Sequence, residues 1–261
     1  MSLKKYHIFG ERCSGTNFLD HSLKQNFEAF DVFRDTKIRL SERYRKYGNP
    51  HWFGDYLDLS YTDDILFICI VRDPIKWLNS FYNKPRNISI SMKQSTQKRF
   101  LFGKFSGGCY CYNYEIPYEL QNSASDDFTF YNRENYDNIF ELRYEKIEWM
   151  YRDLPELVKN YIFIRYEDLI SDFQGTMKKI HDTGLLKKDN IKEDIEEMKK
   201  WMKRDGYKNV EETTFEFAQK DPEIKLQPSF GTHKDEEALI FSIEDYPKQY
   251  TYYEKKLGYY N

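Results

Sequence analysis

Apolar residues occur in two patterns along the chain: short continuous runs and longer stretches with helical periodicity. The runs are Tyr6–Phe9, Ile65–Val71 and Tyr161–Ile164, and they are rich in β-branched and aromatic residues. Runs of this length and composition are typical of strands buried on both faces of a parallel sheet. Strands that alternate with helices favour an α/β fold, in which helical layers flank a central parallel sheet.

The stretches between the runs predict the helices. An amphipathic stretch from Phe18 to Phe27 follows the first run. Asp73 and Pro74 follow the second run, and they suit the N-cap and the first position of a helix. Further helices are expected around Asn138–Tyr151 and over Asn190–Arg204, where apolar residues recur at helical spacing.

Charge and composition exclude several classes of protein. The chain has 261 residues, with 40 Lys and Arg against 43 Asp and Glu, so it lacks the basic excess of a nucleic-acid binder. It has no run of 18 apolar residues and no apolar signal-peptide core near its start, which predicts a cytoplasmic protein without a membrane span. The four cysteines lack the paired spacing of a zinc site, and no metal is expected. Arg143 and Lys146 are expected on the solvated face of their helix.

The segment from Gly10 to Phe18 carries the clearest chemical signal. It lies between the first predicted strand and the first predicted helix, where backbone N–H groups and a helix N-terminus suit a phosphate or sulfate. Gly10 and Gly15 keep the G-x-x-x-x-G spacing of an ATP-binding loop, but Thr16-Asn17 replaces its Lys-Ser/Thr. The loop therefore suits an anion, yet it lacks the lysine that serves the terminal phosphates of a triphosphate.

Two further motifs follow the other predicted strands. Arg72 comes directly after the second strand, and Ser80 lies about two helical turns later, so both can face one way. Arg165–Leu169 follows the third strand. Ligands of open parallel sheets bind beyond the carboxyl ends of the strands, so all three motifs are expected at one edge. An arginine and a hydroxyl make a second phosphate clasp, which suggests a nucleotide with both a 5′- and a 3′-phosphate.

Together the three motifs resemble the sulfotransferases that use 3′-phosphoadenosine 5′-phosphosulfate (PAPS). Arg12–Phe18 is similar to the family's 5′-phosphosulfate loop, and Val71–Pro74 with Ser80 is similar to its 3′-phosphate motif. Tyr166–Leu169 is similar to a later signature of the family. The resemblance implies a three-layer, P-loop-like α/β fold, PAPS as donor, the nucleotide product PAP (3′,5′-ADP), and no metal requirement.

The resemblance also implies which residues bind the donor. Ser14, Gly15, Thr16 and Asn17 would hold the 5′-phosphosulfate, and Phe18 and Tyr166 would lie at the adenine. Arg72 and Ser80 would bind the 3′-phosphate, and a basic loop near the C-terminus, with His233 and Lys234, would close that site.

The resemblance implies a general base as well. The soluble branch of the family uses a histidine before the 3′-phosphate arginine, and His51 lies 21 residues before Arg72. An imidazole, with an ordinary pKa near ~6.5, suits proton transfer at neutral pH. The Golgi branch of the family uses a glutamate, so Glu42 and Asp55 are alternatives.

The loop departs from the family at one position. Many members have Lys or Arg directly before Ser-Gly-Thr, where the cation stabilises the leaving phosphate, but Cys13 stands there in this chain. Arg12, one residue earlier, is the candidate catalytic replacement. The alternatives are that another cation takes this role or that activity is weak.

The sequence therefore predicts a single sulfotransferase-like domain over residues 1–261, which moves a sulfuryl group from PAPS to a hydroxyl or amine acceptor by in-line displacement. Small molecules, carbohydrates and peptides are the candidate acceptors, and residues 84–136 are expected to form a lid or an acceptor-binding insertion. Two alternatives are a P-loop kinase for a nucleoside or other small molecule and an inactive nucleotide-binding protein of the same fold.

Overall fold

The computed structural model describes most of the amino-terminal two-thirds of the chain and a C-terminal segment. The described residues are 2–34, 51, 59, 62–83, 88, 92, 95–105, 127–130, 132, 134–189, 239 and 241–260. The helix predicted over Asn190–Arg204 lies outside them, as do the candidate site residues Glu42, Asp55, His233 and Lys234.

A four-stranded parallel sheet forms the centre of the described structure. Its strands are β1 (Lys5–Gly10), β2 (Phe30–Asp31), β3 (Ile65–Val71) and β4 (Asn160–Arg165), in the order β2-β1-β3-β4. Every residue of β3 is buried, as its continuous apolar sequence predicts for a strand with neighbours on both sides. The three predicted strands and their parallel arrangement are confirmed.

Helices follow the strands and cover both faces of the sheet. They are α1 (Thr16–Asn26), α2 (Pro74–Asn83), α3 (Gln97–Phe102), α4 (Ile139–Glu148), α5 (Leu154–Leu157), α6 (Tyr166–Ser171), α7 (Phe173–Asp182) and α8 (Tyr252–Lys256). A π-helical turn, Trp149–Asp153, joins α4 to α5, and short 3-10 turns span Val32–Arg34, Ile243–Asp245 and Lys248–Tyr250.

Side-chain caps at Asp73 and Asn138 fix the starts of α2 and α4. Asp73 Oδ1 accepts the Lys76 backbone N–H at 2.8 Å and precedes Pro74, the first residue of α2, as predicted. The Asn138 side chain accepts the backbone N–H groups of Phe140 and Glu141 at the start of α4. Both caps satisfy N–H groups that have no partner inside their helix, so each helix begins where the sequence indicates.

The alternation of β3 side chains builds two cores. Leu66, Ile68 and Ile70 pack on one face with apolar residues of α1 and α7. The odd-numbered residues of β3 pack on the other face with Ile147 of α4 and Leu257, next to α8. The three-layer α/β fold with a central parallel sheet is therefore confirmed.

A third apolar cluster lies around α2. It joins Trp77 and Phe81 of that helix to Ile139 and Phe140 of α4. The described parts of residues 84–136 add their own buried side chains to it: Ile88, Met92, Phe100, Leu101, Phe105 and Tyr136. These parts are consequently built into the core beside the sheet.

Among the described residues, no helix is both long and apolar enough to cross a bilayer.

The prediction that Arg143 and Lys146 lie on a solvated face is wrong. Arg143 is fully buried and Lys146 is 3% exposed. The physical reason is that α4 packs in two directions, with Leu142 in the cluster around α2 and Ile147 in the core against the sheet. Charged side chains between those directions are covered, and buried carboxylates compensate them.

Candidate active site

The loop after β1 is a tight turn with two left-handed residues. The Ser14 backbone N–H and Oγ both donate to the Glu11 carbonyl, at 3.1 and 2.6 Å. Cys13 has φ 65° and Gly15 has φ 99°, a region that favours glycine. A Cβ on Gly15 would also collide with the Tyr166 ring, and one on Gly10 would lie 2.7 Å from the Ile70 carbonyl oxygen. Both glycines of the G-x-x-x-x-G pattern are therefore required by close approaches.

The loop leads directly into α1. Gly15 is the N-cap residue of α1 and has no side chain that could cap the helix. Its carbonyl accepts the first helical hydrogen bond, from the Leu19 N–H, at 3.0 Å. The N–H groups of the first turn have no partner inside a helix, and they attract anions together with the helix dipole. Thr16 is buried and Asn17 is exposed at this end. The loop and the start of α1 thus form an anion cradle.

The second motif lies against this loop. Arg72 ends at the Cys13 carbonyl, to which its Nη1 donates at 3.3 Å, and the Cys13 thiol donates to the Ser80 carbonyl at 3.8 Å. The Arg72 guanidinium stacks over the Tyr166 ring, 5.1 Å from its centroid. Its Nε is buried and has no hydrogen-bond partner among the described residues. A buried cationic donor of this kind is costly unless a ligand accepts from it.

The third motif supplies an aromatic platform and a structural carboxylate. Tyr166 packs against Gly15 and meets the Phe18 ring edge-on, with centroids 6.4 Å apart. Phe18 itself is only 7% exposed and belongs to the core of that face. Glu167 accepts from the Asp73 N–H at 3.1 Å and from the Tyr259 hydroxyl at 2.7 Å. Glu167 therefore ties the ends of β3 and β4 together.

His51 lies at the other side of the loop. Its Nδ1 is 2.8 Å from the Gly10 carbonyl oxygen, so the neutral ring donates from Nδ1 and Nε2 is its basic nitrogen. Burial lowers the pKa of His51 to about 4. The hydrogen bond to Gly10 opposes that change, whereas the cations of Arg12 and Lys146 add to it. His51 is consequently a neutral imidazole at pH 7 when no ligand is bound.

Arg12 and Lys146 share one buried carboxylate, Asp127. Arg12 Nη2 donates to Asp127 Oδ2, and Lys146 Nζ donates to Asp127 Oδ1. The Arg12 guanidinium also packs on the rings of Phe81 and Phe105. Burial alone would raise the pKa of Asp127, but the two cations bring it below its usual value. Arg12 is thus held beside the loop by an ionised partner.

A second buried network links the loop to the C-terminal helix. Arg143 donates from Nη1 to Glu11 Oε2 at 2.6 Å, from Nε to Glu254 Oε1 at 2.6 Å and from Nη2 to the Arg72 carbonyl at 2.7 Å. Its guanidinium lies 4.8 Å from the Trp77 ring centroid. Burial raises the pKa of the Glu11 carboxyl, although Arg143 opposes this. One arginine therefore joins the loop, the end of β3 and α8.

The structure brings most of the predicted site residues to one edge of the sheet. Those within the described part of the chain are Arg12, Ser14, Gly15, Thr16, Asn17, Phe18, His51, Arg72, Ser80 and Tyr166. Their shared location agrees with the expected convergence of three strand-end motifs. Among the described residues, no cluster of His, Cys, Asp or Glu is arranged to hold a metal ion.

Three charged residues of the site were missed by reasoning from sequence: Asp127, Arg143 and Lys146. A signal existed for the two cations. Arg143 and Lys146 follow Ile139 by four and seven positions, which places them on its side of the helix. Charged residues within an apolar stripe indicate buried ion pairs. Asp127 carries no such signal, because the sequence around it has little periodicity.

Comparison with models of protein families identifies the family of this chain. The family model described as "Sulfotransferase domain" matches residues 4–227. No curated protein matches the sequence. Among solved structures, the chain is similar to mouse sulfotransferase SULT7A1 complexed with PAP, with 16% identity and a TM-score of 0.34. That match covers 76% of this chain and 62% of the mouse chain. Since the family model covers more than half of its residues, the protein belongs to the sulfotransferase family.

Proposed function

We propose that this protein transfers a sulfuryl group from PAPS to a hydroxyl or amine acceptor. The observation that carries the proposal is the position of Arg72. Its buried Nε has no partner among the described residues, and its guanidinium stacks on Tyr166 beside a loop that suits a second anion. A nucleotide with phosphates at both its 5′ and 3′ ends fits two adjacent anion sites with an aromatic ring between them.

The loop is proposed to hold the 5′-phosphosulfate. Backbone N–H groups at the start of α1 would donate to it, assisted by the side chains of Thr16 and Asn17. Ser14 donates both its hydroxyl proton and its backbone N–H to Glu11 O, so its hydroxyl would have to turn away from Glu11 to donate to the phosphosulfate. The absence of a loop lysine at residue 16 disfavours the kinase alternative, because triphosphates rely on that cation.

Arg72 and Ser80 are proposed to bind the 3′-phosphate. Tyr166 would contact the adenine, and Phe18, buried behind Tyr166, would support that ring. His233 and Lys234 lie outside the described residues, and we retain them as the proposed basic loop that closes the 3′-phosphate site. In this scheme Cys13 is held between the two phosphate sites through Arg72 and Ser80.

His51 is proposed as the general base. PAPS supplies the sulfuryl group. The acceptor attacks its sulfur in line, the bond from sulfur to the phosphate oxygen breaks, and PAP leaves. The Nδ1 atom of His51 keeps its proton and donates it to the Gly10 carbonyl, and Nε2 takes the acceptor proton. A pKa of about 4 in the free protein keeps the ring unprotonated, and a bound polyanion raises the affinity of the ring for that proton.

Arg12 is proposed to supply positive charge in place of the cation that Cys13 lacks. Asp127 and the rings of Phe81 and Phe105 hold the guanidinium beside the loop, so it needs little reorganisation during transfer. The acceptor is proposed to be a small molecule, a carbohydrate or a peptide, and residues 84–136 to contribute to its site.

Calorimetric titration with PAP tests the nucleotide proposal. We expect micromolar or tighter binding without added metal, and a large loss of affinity in Arg72→Met but not in Arg152→Met, which removes an exposed arginine. No binding at high micromolar PAP would refute the proposal, and magnesium-dependent ATP binding would favour the kinase.

Transfer itself is tested with sulfur-labelled PAPS and a panel of phenols, sugars and tyrosine peptides. His51→Ala is expected to abolish transfer and to spare PAP affinity. Near-normal turnover in His51→Ala would remove His51 from the role of base. PAP binding without transfer to any acceptor would favour an inactive protein of the same fold.

A further inference from the structure

A closed ring of polar contacts joins the loop to His51 and back again. The His51 ring reaches the Gly10 carbonyl at 2.8 Å, and Lys146 Nζ donates to the His51 carbonyl at 2.6 Å. Lys146 also donates to Asp127, and Asp127 accepts from Arg12 of the loop. His51 is thereby held at two points, by its ring and by its backbone.

Lys146 is well placed to hold the His51 backbone rigidly. It is 3% exposed and lies on α4 between Arg143, which is fully buried, and Ile147, which packs against the sheet. Its ammonium makes two charge-assisted hydrogen bonds, one to the His51 carbonyl and one to Asp127. Such bonds are about twice as strong as neutral ones. A buried lysine with these partners has little freedom to release His51.

We propose that Lys146 is a positioning residue for the general base. Lys146 fixes the His51 backbone so that the imidazole stays on the Gly10 carbonyl beside the phosphosulfate loop. Asp127 extends this hold to Arg12, so the base and the loop cation keep a constant separation. The inference rests on the proposed function, in which His51 accepts the proton of the attacking acceptor.

The charges around His51 give this role a signature in the pH dependence. Burial is the main cause of the lowered pKa of His51; the cations of Arg12 and Lys146 lower it further, and Asp127 opposes them. Removing the Lys146 charge should therefore raise the His51 pKa, and removing the Asp127 charge should lower it. A purely structural loss of packing would not move the pKa in opposite directions in the two variants.

The experiment compares Lys146→Met and Asp127→Asn with Lys178→Met, an exposed lysine on α7 whose side chain is 74% accessible. For Lys146→Met we expect kcat to fall at least about tenfold, with PAP affinity within about threefold of wild type. The acidic limb of its kcat profile should move to higher pH, and that of Asp127→Asn to lower pH. Lys178→Met should match wild type in all three measurements.

A wild-type kcat and an unmoved acidic limb in Lys146→Met would overturn the inference. If Lys146→Met does not fold, the double variant Lys146→Met, Asp127→Asn removes both charges, and a wild-type kcat in it would overturn the inference equally. The His51 titration, followed by NMR and assigned with His51→Asn, gives a readout without turnover. A wild-type protein that binds no PAP would refute the proposed function, while an unchanged His51 pKa in Lys146→Met would refute the positioning role.

Discussion

Replacing Arg143 by Met should destabilise the whole fold. The side chain is fully buried, and its guanidinium compensates two carboxylates, Glu11 and Glu254, while it also donates to the Arg72 carbonyl. Methionine fills a similar volume but supplies no charge and no hydrogen bond. The variant therefore leaves Glu254, Glu11 and a carbonyl in the core without their cationic donor, and Glu11, whose pKa burial already raises to about 7, must take up a proton.

The size of the effect follows from the burial of this network. Breaking a buried ion pair by removing one partner costs about 3–5 kcal/mol. Arg143 makes ion pairs with both carboxylates at 2.6 Å, so we expect a loss of about 4 kcal/mol in the free energy of unfolding. For a chain of this length that corresponds to a fall of roughly 8–16 °C in Tm.

The matched control is Arg152→Met, a few residues along the chain. Its side chain is 50% exposed and pairs with Glu148 on the surface, where such pairs contribute about 1 kcal/mol or less. Urea unfolding at pH 7, followed by tryptophan fluorescence and circular dichroism, measures both variants. The triple variant Arg143→Met, Glu11→Gln, Glu254→Gln should regain part of the loss, because it leaves no uncompensated charge in the Arg143 network.

A free energy of unfolding for Arg143→Met within about 1 kcal/mol of wild type would show that the buried ion pairs do not stabilise the fold. Equal losses in Arg143→Met and Arg152→Met would refute this reasoning as well, since burial is what distinguishes the two. Failure of the triple variant to regain stability would show that lost packing, and not uncompensated charge, dominates.

Three further predictions concern the site. Gly15→Ala should weaken PAP binding at least about tenfold in calorimetry, because its φ of 99° is strained for alanine and its Cβ meets the Tyr166 ring. Gly184→Ala, with φ 102° after α7, should lower Tm but leave PAP affinity unchanged; equal affinities for the two variants would contradict the first expectation. Arg72→Met should weaken PAP binding by about 10- to 100-fold with little change in Tm, since it removes charged hydrogen bonds to the ligand. Folding lowers the His51 pKa from 6.5 to about 4. The free energy of unfolding of wild type, measured relative to His51→Gln, should therefore be highest above pH 6.5 and should decrease as the pH falls from 6.5 to about 4. The loss should be about 2 kcal/mol, since His51 is only partly buried, and parallel stability curves would disprove it.

Much of the fold was predictable because its signals are local. The seven apolar residues of β3 specify a buried strand, and Asp73-Pro74 specifies the helix start that follows. The glycines at 10 and 15 are explained by close contacts that only a residue without a side chain permits. Helix starts and strand ends depend on a few neighbouring residues, which a single sequence displays.

The buried charges were not predictable in the same way. Arg143 pairs with Glu11 across 132 positions and with Glu254 across 111 positions, and Arg12 pairs with Asp127 across 115. A charged residue is ordinarily placed at the surface unless its partner is known. The spacing of Arg143 and Lys146 from Ile139 indicates that both are buried, but only the folded arrangement shows which carboxylates pair with them.

The Arg143 network also has a consequence for folding during synthesis on the ribosome. Arg143 can pair with Glu11 once both have left the ribosome, but it lacks its second carboxylate, Glu254, until α8 has been synthesised. Until then the loop after β1 lacks the contact with α8 that Arg143 provides in the folded protein. We expect a nascent chain arrested before residue 254 to remain more sensitive to protease near the loop than the released protein.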